Sequence, residues 1–275
     1  MNKEQKKIIN QHNKWKINRE LKELKKLEQE IMKNMEELNK EIEEELRELN
    51  NKANEWSYIE LNKYKRLEKA HRNIKEKIKD RKSKELEIIL AFLVTNGLRT
   101  RDEIGELVGA NKEKVRKIGK RRINEVIKHP WSGLSIYERH EKSTRNLQLK
   151  IKEVINSSIV TDRGNVRTAV KSVKNEITKA GNPAFRLADT ENTHLNYEVT
   201  KEVIEMVEVE RIRYMYNAVL DSRTCSDCSR NDGKIYEIGK EPQLPTHINC
   251  RCFYTPIADT VWIMQTNALP TNKPM

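Results

Sequence analysis

Asp221-Ser222-Arg223-Thr224-Cys225-Ser226-Asp227-Cys228, then Asp232-Gly233, then Pro245-Thr246-His247-Ile248-Asn249-Cys250-Arg251-Cys252: this stretch holds all four cysteines of the chain. A Cys-x2-Cys pair grips one ion from a tight turn, and a second pair from a distant segment completes a tetrahedron. In a chain read as carrying no secretory leader, such clustering points to metal ligation before disulfides. Asp232-Gly233 is a hairpin signal, with Lys234-Ile235-Tyr236-Glu237-Ile238 as the returning strand. The expectation is a small β-rich lobe stapled by Zn²⁺. Five candidate ligands compete for four places. Cys225 and Cys228 are the firmest pair and Cys250 the next, while His247 and Cys252 contend for the last position. His247 is favoured, because His-x2-Cys converges on one ion across a turn. Free buried thiols beside a structural His247 are the alternative.

Upstream, Ile212, Tyr214, Tyr216, Ala218 and Leu220 alternate with a period of two, as in a strand. Everything before them has helical spacing. Ile136, Leu147, Leu149, Ile151, Val154, Ile155 and Ile159 mark helices up to a break at Gly164. Val166, Val170, Val173 and Ile177 mark one more, closed by Gly181-Asn182-Pro183, and a further helix follows from Phe185 to about Glu208. At the other end, Ile17 to Leu49 thread onto a heptad. One seam is Ile17, Leu24, Ile31, Leu38, Glu45 and the other is Leu21, Glu28, Met35, Ile42, Leu49. Asn50, Asn51 and Asn54 interrupt it, and Trp56, Ile59, Tyr64, Leu67, Ile74 and Ile78 continue a weaker stripe to about Ser83. An oligomerising arm and an intramolecular helix pair both satisfy this pattern. No Gly precedes Gly97 and no Pro precedes Pro130, which argues against a turn-rich β-sandwich or barrel. The expected fold is mainly α, with a small C-terminal α+β zinc-stapled lobe and an extended N-terminal coiled coil or helical hairpin. Its expected divisions are a helical arm (1–90), a basic helix-turn-helix-like segment (91–129), a helical domain (130–210), the zinc lobe (211–262) and a flexible tail (263–275).

Charge divides the chain as well. Residues 1–50 and 151–275 each balance, so the whole excess of +12 falls in the middle. There, Thr100-Arg101-Asp102-Glu103 reads as a capping box. Ile104, Gly105, Val108, Gly109, Ala110, the cap Asn111, Val115 and Ile118 fit a helix-turn-helix frame. The second helix of that frame carries Lys112, Lys114, Arg116, Lys117, Lys120, Arg121 and Arg122, the equipment a helix needs to reach phosphates and base edges. A solvated basic face, or one that meets an acidic partner, fits equally. The longest apolar run, Ile88 to Val94, is far short of the ~20 residues a membrane span requires, so no membrane partner is expected. Only 36% of the chain is apolar against 35% charged, where roughly 45–50% apolar is usual. That deficit suggests an assembly component that completes its buried surface with partners.

Four stretches, taken in order, resemble the phage Mu F-like minor head (head morphogenesis) proteins of tailed bacteriophages. They are Pro130-Trp131-Ser132-Gly133, Arg186-Leu187-Ala188-Asp189-Thr190-Glu191, Leu220 to Cys225 with Cys228 and Asp232-Gly233-Lys234, and His247 to Cys252. The likeness spans about residues 120–257. The family commonly has Pro-Pro-x-His-Pro-Asn-Cys-Arg where this chain has Leu244-Pro245-Thr246-His247-Ile248-Asn249-Cys250-Arg251. A basic residue commonly stands where this chain has Asp189. The resemblance implies a low-copy virion protein, present in the host cytoplasm during assembly. Its implied partners are the portal protein and other head proteins, with packaged DNA as a non-specific contact, and it implies no catalysis. Asp221 and Arg251 are read as structural, an acid and a base flanking the metal knot. Self-association through the N-terminal heptads is a further expectation. A helix-turn-helix DNA-binding regulator is the alternative function. A metal-dependent nuclease is disfavoured, since hydrolysis needs a catalytic metal with an open place, whereas His247 is wanted as a structural ligand and His194 stands alone.

Overall fold

The computed structural model describes residues 3–53, 55–161, 165–207 and 212–258. The chain forms α1 (Lys3–Asn51), α2 (Tyr58–Asn62), a 3₁₀ turn (Lys63–Lys65), α3 (Arg66–Leu107), α4 (Lys112–Arg116), α5 (Lys120–Lys128), α6 (Ile136–Thr161) and α7 (Val166–Glu205). After these come β1 (Ile212–Asn217), α8 (Ser226–Asn231), β2 (Ile235–Glu237) and β3 (Phe253–Ala258). The mainly α architecture with a small C-terminal α+β lobe is as expected. The proposed tail 263–275 and the break at Gly164 lie outside the described residues. No helix among the described residues is long and apolar enough to cross a membrane.

Contacts group the chain into two compact units, each built from separated stretches: residues 1–25, 91–130 and 186–275 in the first, 26–90 and 131–185 in the second. The second unit is a helical bundle. Its core takes Met35, Leu38, Ile42, Leu46 and Leu49 from α1, Leu67, Ala70, Ile74 and Ile78 from α3, Leu147, Ile151, Ile155 and Ile159 from α6, and Ala169, Val173 and Ile177 from α7. These recur every three or four residues, so each helix turns one apolar stripe inward. Polar contacts fix the directions. Arg81 on α3 reaches Glu37 and Glu41 on α1 while Asn73 reaches Glu45, so the two helices run antiparallel. His71 bonds Asn156 on α6 and His140 bonds Glu85 on α3, which sets that pair antiparallel too. The heptad stripe of residues 35–49 is therefore buried against the chain's own helices, as the helical hairpin reading requires. The stripe is wider than the two seams: Leu27 and Leu46 are buried, whereas Ile17 and Leu21 are only half-buried and Glu28 is exposed. Ile59 and Tyr64, placed on the continuing stripe, are exposed.

Gly181-Asn182-Pro183 does not end a helix. α7 runs through it with Pro183 inside, so the two expected helices are one. Gly181 serves packing instead, because a Cβ there would lie 2.9 Å from Met32 Sδ.

The first unit centres on an antiparallel sheet of order β2-β1-β3. The strand read from Ile212 is β1. Asp232-Gly233 does not join two neighbouring strands in a two-residue hairpin, because α8 intervenes after β1. Gly233 takes a left-handed conformation (φ +75°) and donates its N–H to the Tyr216 carbonyl, while Asp232 accepts from the Ala218 amide. Lys16 of α1 lies 4.7 Å over the Phe253 ring, and Asn13 bonds Asn217 and Thr255, so the first turns of α1 cover the sheet. Residues 188–197 of α7 are buried all round. The expected capping box is also overturned. Thr100 sits within α3, fully buried, and donates to Asn196 at 2.7 Å. Gly97 allows the close approach of Ile123 and Leu195, each 3.1 Å from where a Cβ would stand.

Candidate metal centre

The centre is built from two turns of the first unit. After β1 the chain bends at Asp221, and Cys225 caps α8 with its side chain, its Sγ accepting from the Cys228 amide at 3.3 Å. The six-residue helix thereby fixes Cys225 and the buried Cys228 on one side of the turn. The second turn lies before β3, where the Cys250 amide donates to the His247 carbonyl at 3.2 Å and Asn249 adopts φ +65°. Asn is among the few residues other than Gly that enter this region readily.

The donors form two overlapping triads, Cys225–Cys228–His247 and Cys228–Cys250–Cys252, with all ligand atoms of each within 4.8 Å of one another. His247 Nε2 stands 3.3 Å from Cys225 Sγ and 3.2 Å from Cys228 Sγ. Its Nδ1 faces the Ile248 carbonyl at 2.9 Å. Thr246 Oγ1 lies 3.6 Å from Cys228 Sγ and 3.7 Å from Cys250 Sγ. The Tyr216 hydroxyl donates to Cys228 Sγ at 3.3 Å. All five sequence-derived candidates are thus brought together, and the four thiols form no disulfide. Cys252, ranked behind His247 in the sequence, is as much part of the cluster. Residues two apart share a face of an extended chain, and both Cys250 and Cys252 are buried. Hydrogen bonding from Cys252 holds the Cys250 thiol well below its ordinary range, to about 5, and Cys252 is pushed up in turn. Burial acts to lower His247, but the Ile248 carbonyl and the Cys250 and Cys225 sulfurs outweigh it and leave the imidazole raised. Thiol and imidazole donors at this spacing can hold a metal ion.

Other groups brace the turns. Arg251 forms a two-pronged pair with Asp221 at 2.6 and 2.7 Å, the structural acid and base read from the sequence. That guanidinium holds the Asp221 carboxyl down at about 2. Thr190 of α7 accepts from the Asn249 amide at 2.8 Å, and Thr193 donates to the Cys250 carbonyl at 2.5 Å. Next to them Asp189 is buried and pushed up to about 7 by that burial, against the pull of Arg251 and Arg223. Sequence reasoning missed Tyr216, Thr246 and Thr193 as supports of the centre. Thr190 stood in a quoted motif, but nothing in the sequence tied it to the cysteines.

The seven basic residues assigned to a recognition helix are all exposed, but they do not lie on one helix. Asn111 caps α4 as expected, Gly109 turns with φ +66°, and Val115 and Ile118 point inward. α4 ends after five residues, however, and α5 begins afresh at Lys120. Lys112, Lys114 and Arg116 are therefore on α4, Lys117 caps its end, and Lys120, Arg121 and Arg122 open α5. Arg122 is committed to Glu202 and Glu125.

A buried helix packed beside a three-stranded sheet, with a Cys/His cluster between two turns, defines a lobe whose C-terminal end a metal ion could staple. The family model described as Phage Mu protein F like protein matches residues 149–255, which include α7, β1, α8, β2 and every candidate ligand. The match is to the family that the motifs resemble and covers about two fifths of the chain. No curated protein and no solved structure matches the chain.

Proposed function

We propose that this protein is a minor head protein of a tailed phage, acting in head morphogenesis beside the portal protein. The family match over 149–255 carries the reading, because it covers the α7 motif and the donor cluster together. In this reading the role is structural, and the protein is a component of the virion assembled in the host cytoplasm. The cluster takes Zn²⁺, drawing on Cys225, Cys228, His247, Cys250 and Cys252, since thiolate and imidazole donors in a closed site suit a tetrahedral structural ion. The exposed basic residues from Lys112 to Arg122 meet packaged DNA through its phosphates, without sequence preference. A single turn of α4 is too short to work as a recognition helix, so no observation favours the regulator.

Fractionation of particles tests the main reading. Procapsids and virions of the encoding phage should contain the protein in few copies together with portal, and its absence from both refutes it. For DNA, each neutralised phosphate steepens the fall of log affinity with log salt by about 0.9. Replacing Lys112, Lys114, Arg116, Lys117 and Arg121 with Ala should flatten that slope, and an unchanged slope removes this surface from consideration.

A further inference from the structure

We propose that the end of the second unit where α1 turns into α3 is a docking surface, and that its occupant is a protein partner presenting an apolar patch ringed by carboxylates. All of this surface but Val160 lies outside the residues matched to the family, and neither the metal nor the head-protein reading enters the argument.

The connection between α1 and α3 sorts its side chains into two sets. Trp56 and Leu61 are buried and pin it to the bundle, and Ser57 caps α2 by accepting from the Glu60 amide at 3.4 Å. Tyr58, Ile59 and Tyr64 face outward, Tyr64 87% and Ile59 76% exposed. α6 adds to them. It runs antiparallel to α3 with Asn156 on His71, so Val160, about one turn further on, lies at the same end and is also 76% exposed. Large apolar side chains gathered at one place and rimmed by charge mark a contact surface, whereas single scattered ones need no explanation.

Tyr64 is held outward at a cost. It and Lys65 both adopt left-handed backbone, with φ of 55° and 57°, a region that bulky residues rarely enter. The Arg66 guanidinium lies 5.1 Å over the Tyr64 ring and donates to the Lys52 carbonyl, which fixes the ring before any partner arrives. Strained backbone of this kind concentrates at functional segments, and a side chain already fixed loses little freedom on binding.

Charge selects the partner. Over residues 52–69 five cations, Lys52, Lys63, Lys65, Arg66 and Lys69, stand against three carboxylates, Glu55, Glu60 and Glu68. Glu60 is taken by Lys63 and Glu68 by Arg72. Lys65 and Lys69 are exposed and make no ion pair among the described residues. Such a rim is complementary to acid. A second copy would set the same cations against each other across a two-fold contact. Nucleic acid would meet two aliphatic side chains, and a Tyr64 face already covered by Arg66, where base stacking needs open rings.

The test uses the full chain and labelled synthetic helices of about 20 residues with a Leu/Phe stripe at i, i+3, i+4 and i+7. One helix carries Glu and the other Lys at the remaining positions, and a single-stranded oligonucleotide is run beside them. Binding is read by fluorescence anisotropy and self-association by sedimentation. The acidic helix should bind at least about tenfold more tightly than the basic one. Ile59→Ser and Tyr64→Asn should each weaken it about tenfold, the scale on which a central contact residue is lost, and Lys65→Glu combined with Lys69→Glu should do the same. Replacing Lys112, Lys114 and Arg121 with Ala should leave the acidic helix bound. Asn enters the left-handed region readily, so Tyr64→Asn should hold or raise the urea midpoint while binding falls. A fall in both assigns Tyr64 to the fold and overturns the reading. So does an acidic helix that fails to bind, binds no better than the basic one or binds every variant alike, and so does oligonucleotide binding lost in the Ile59 and Tyr64 variants or a dimer that Ile59→Ser dissolves. No head protein and no metal enters the assay, so its result stands apart from that of particle fractionation.

Discussion

Thr190→Val isolates the hold of α7 on the ligand-bearing turn. Thr190 Oγ1 donates to the Arg186 carbonyl at 2.7 Å and accepts from the Asn249 amide at 2.8 Å. Valine matches threonine in shape and branching, so the packing of a fully surrounded helix segment is preserved while both bonds go. The first bond is local to the helix and contributes little. The second matters, since an amide left without a partner when buried costs about 1–3 kcal/mol. Asn249 is half-buried and water recovers part of that loss, which places the expected destabilisation at about 1–2 kcal/mol. The same turn presents His247 and Cys250, so looser anchoring should also weaken metal binding about tenfold. Urea unfolding followed by circular dichroism gives the first quantity, and competition with a chelator gives the second. Thr190→Ser keeps the oxygen and should behave as wild type. A valine variant within 0.5 kcal/mol of wild type and with unchanged metal affinity, or a serine variant as damaged as the valine one, would refute the reasoning.

Three further outcomes follow from the same contacts. Tyr216→Phe removes the hydroxyl that donates to Cys228 Sγ and should lower metal affinity about 10–100-fold with the sulfur count unchanged; unaltered affinity in a chelator competition rules out this support. Arg251→Met leaves Asp221 without its two-pronged partner, and the expected cost is about 1.5–2 kcal/mol, the lower part of the charge-assisted range because Asp221 reaches water. The Asp221 carboxyl should also return from about 2 toward its ordinary value. In wild type that pair stabilises above about pH 4 and fades as pH falls through about 2, and an Asp221 titration by NMR that is the same in both proteins contradicts the assignment. His12 is held neutral down to about pH 4 by burial first, then by Lys16 and Arg19. The unfolded chain gains a proton near pH 6.5 that the folded chain refuses, so His12 should cost stability progressively between about pH 6.5 and 4, by about 3 kcal/mol in all. His12→Gln should flatten that interval of the stability curve, and an identical slope in the variant counts against it.

What could be read from residue order was what depends on local spacing. The helical stripes of α1, α3, α6 and α7, the strand from Ile212, the cap at Asn111 and the five donors were all visible, because period and pairwise spacing record which face is buried. The errors came where a local rule met tertiary packing. Thr100 offers a cap hydroxyl, but Asn196 gives it a buried partner inside a continuous helix. Gly181-Asn182-Pro183 spells a stop, yet the surrounding bundle keeps α7 helical and uses the glycine for the approach of Met32. Thr190 and Thr193 were beyond reach for a different reason: their partners lie 59 and 57 residues away, and nothing in sequence spacing marks a hydroxyl that will meet a distant backbone.

The low apolar content, taken from the sequence as a sign of surfaces awaiting partners, is accounted for within the chain in two different ways. In the second unit a stripe on each helix suffices. A fully buried Leu or Ile contributes about 1.5–3 kcal/mol and an exposed ion pair about 0–1 kcal/mol, so the core decides the fold and the Lys/Glu faces add little to it. In the first unit the most enclosed helix segment is polar: Asp189, Thr190, Glu191, Asn192, Thr193, His194 and Asn196 are all buried. Collapse alone cannot favour such a segment, because each group left without a partner there costs about as much as a good apolar contact gains. Four of its residues find partners, Asn192 on Asn96, Asn196 on Thr100, and Thr190 and Thr193 on the turn that carries His247 and Cys250. That turn has few apolar anchors of its own, and an ion held by both turns would fix it where the helix needs it. The donor cluster and the polar helix are therefore joined through that turn, and disturbing either should be felt at the other.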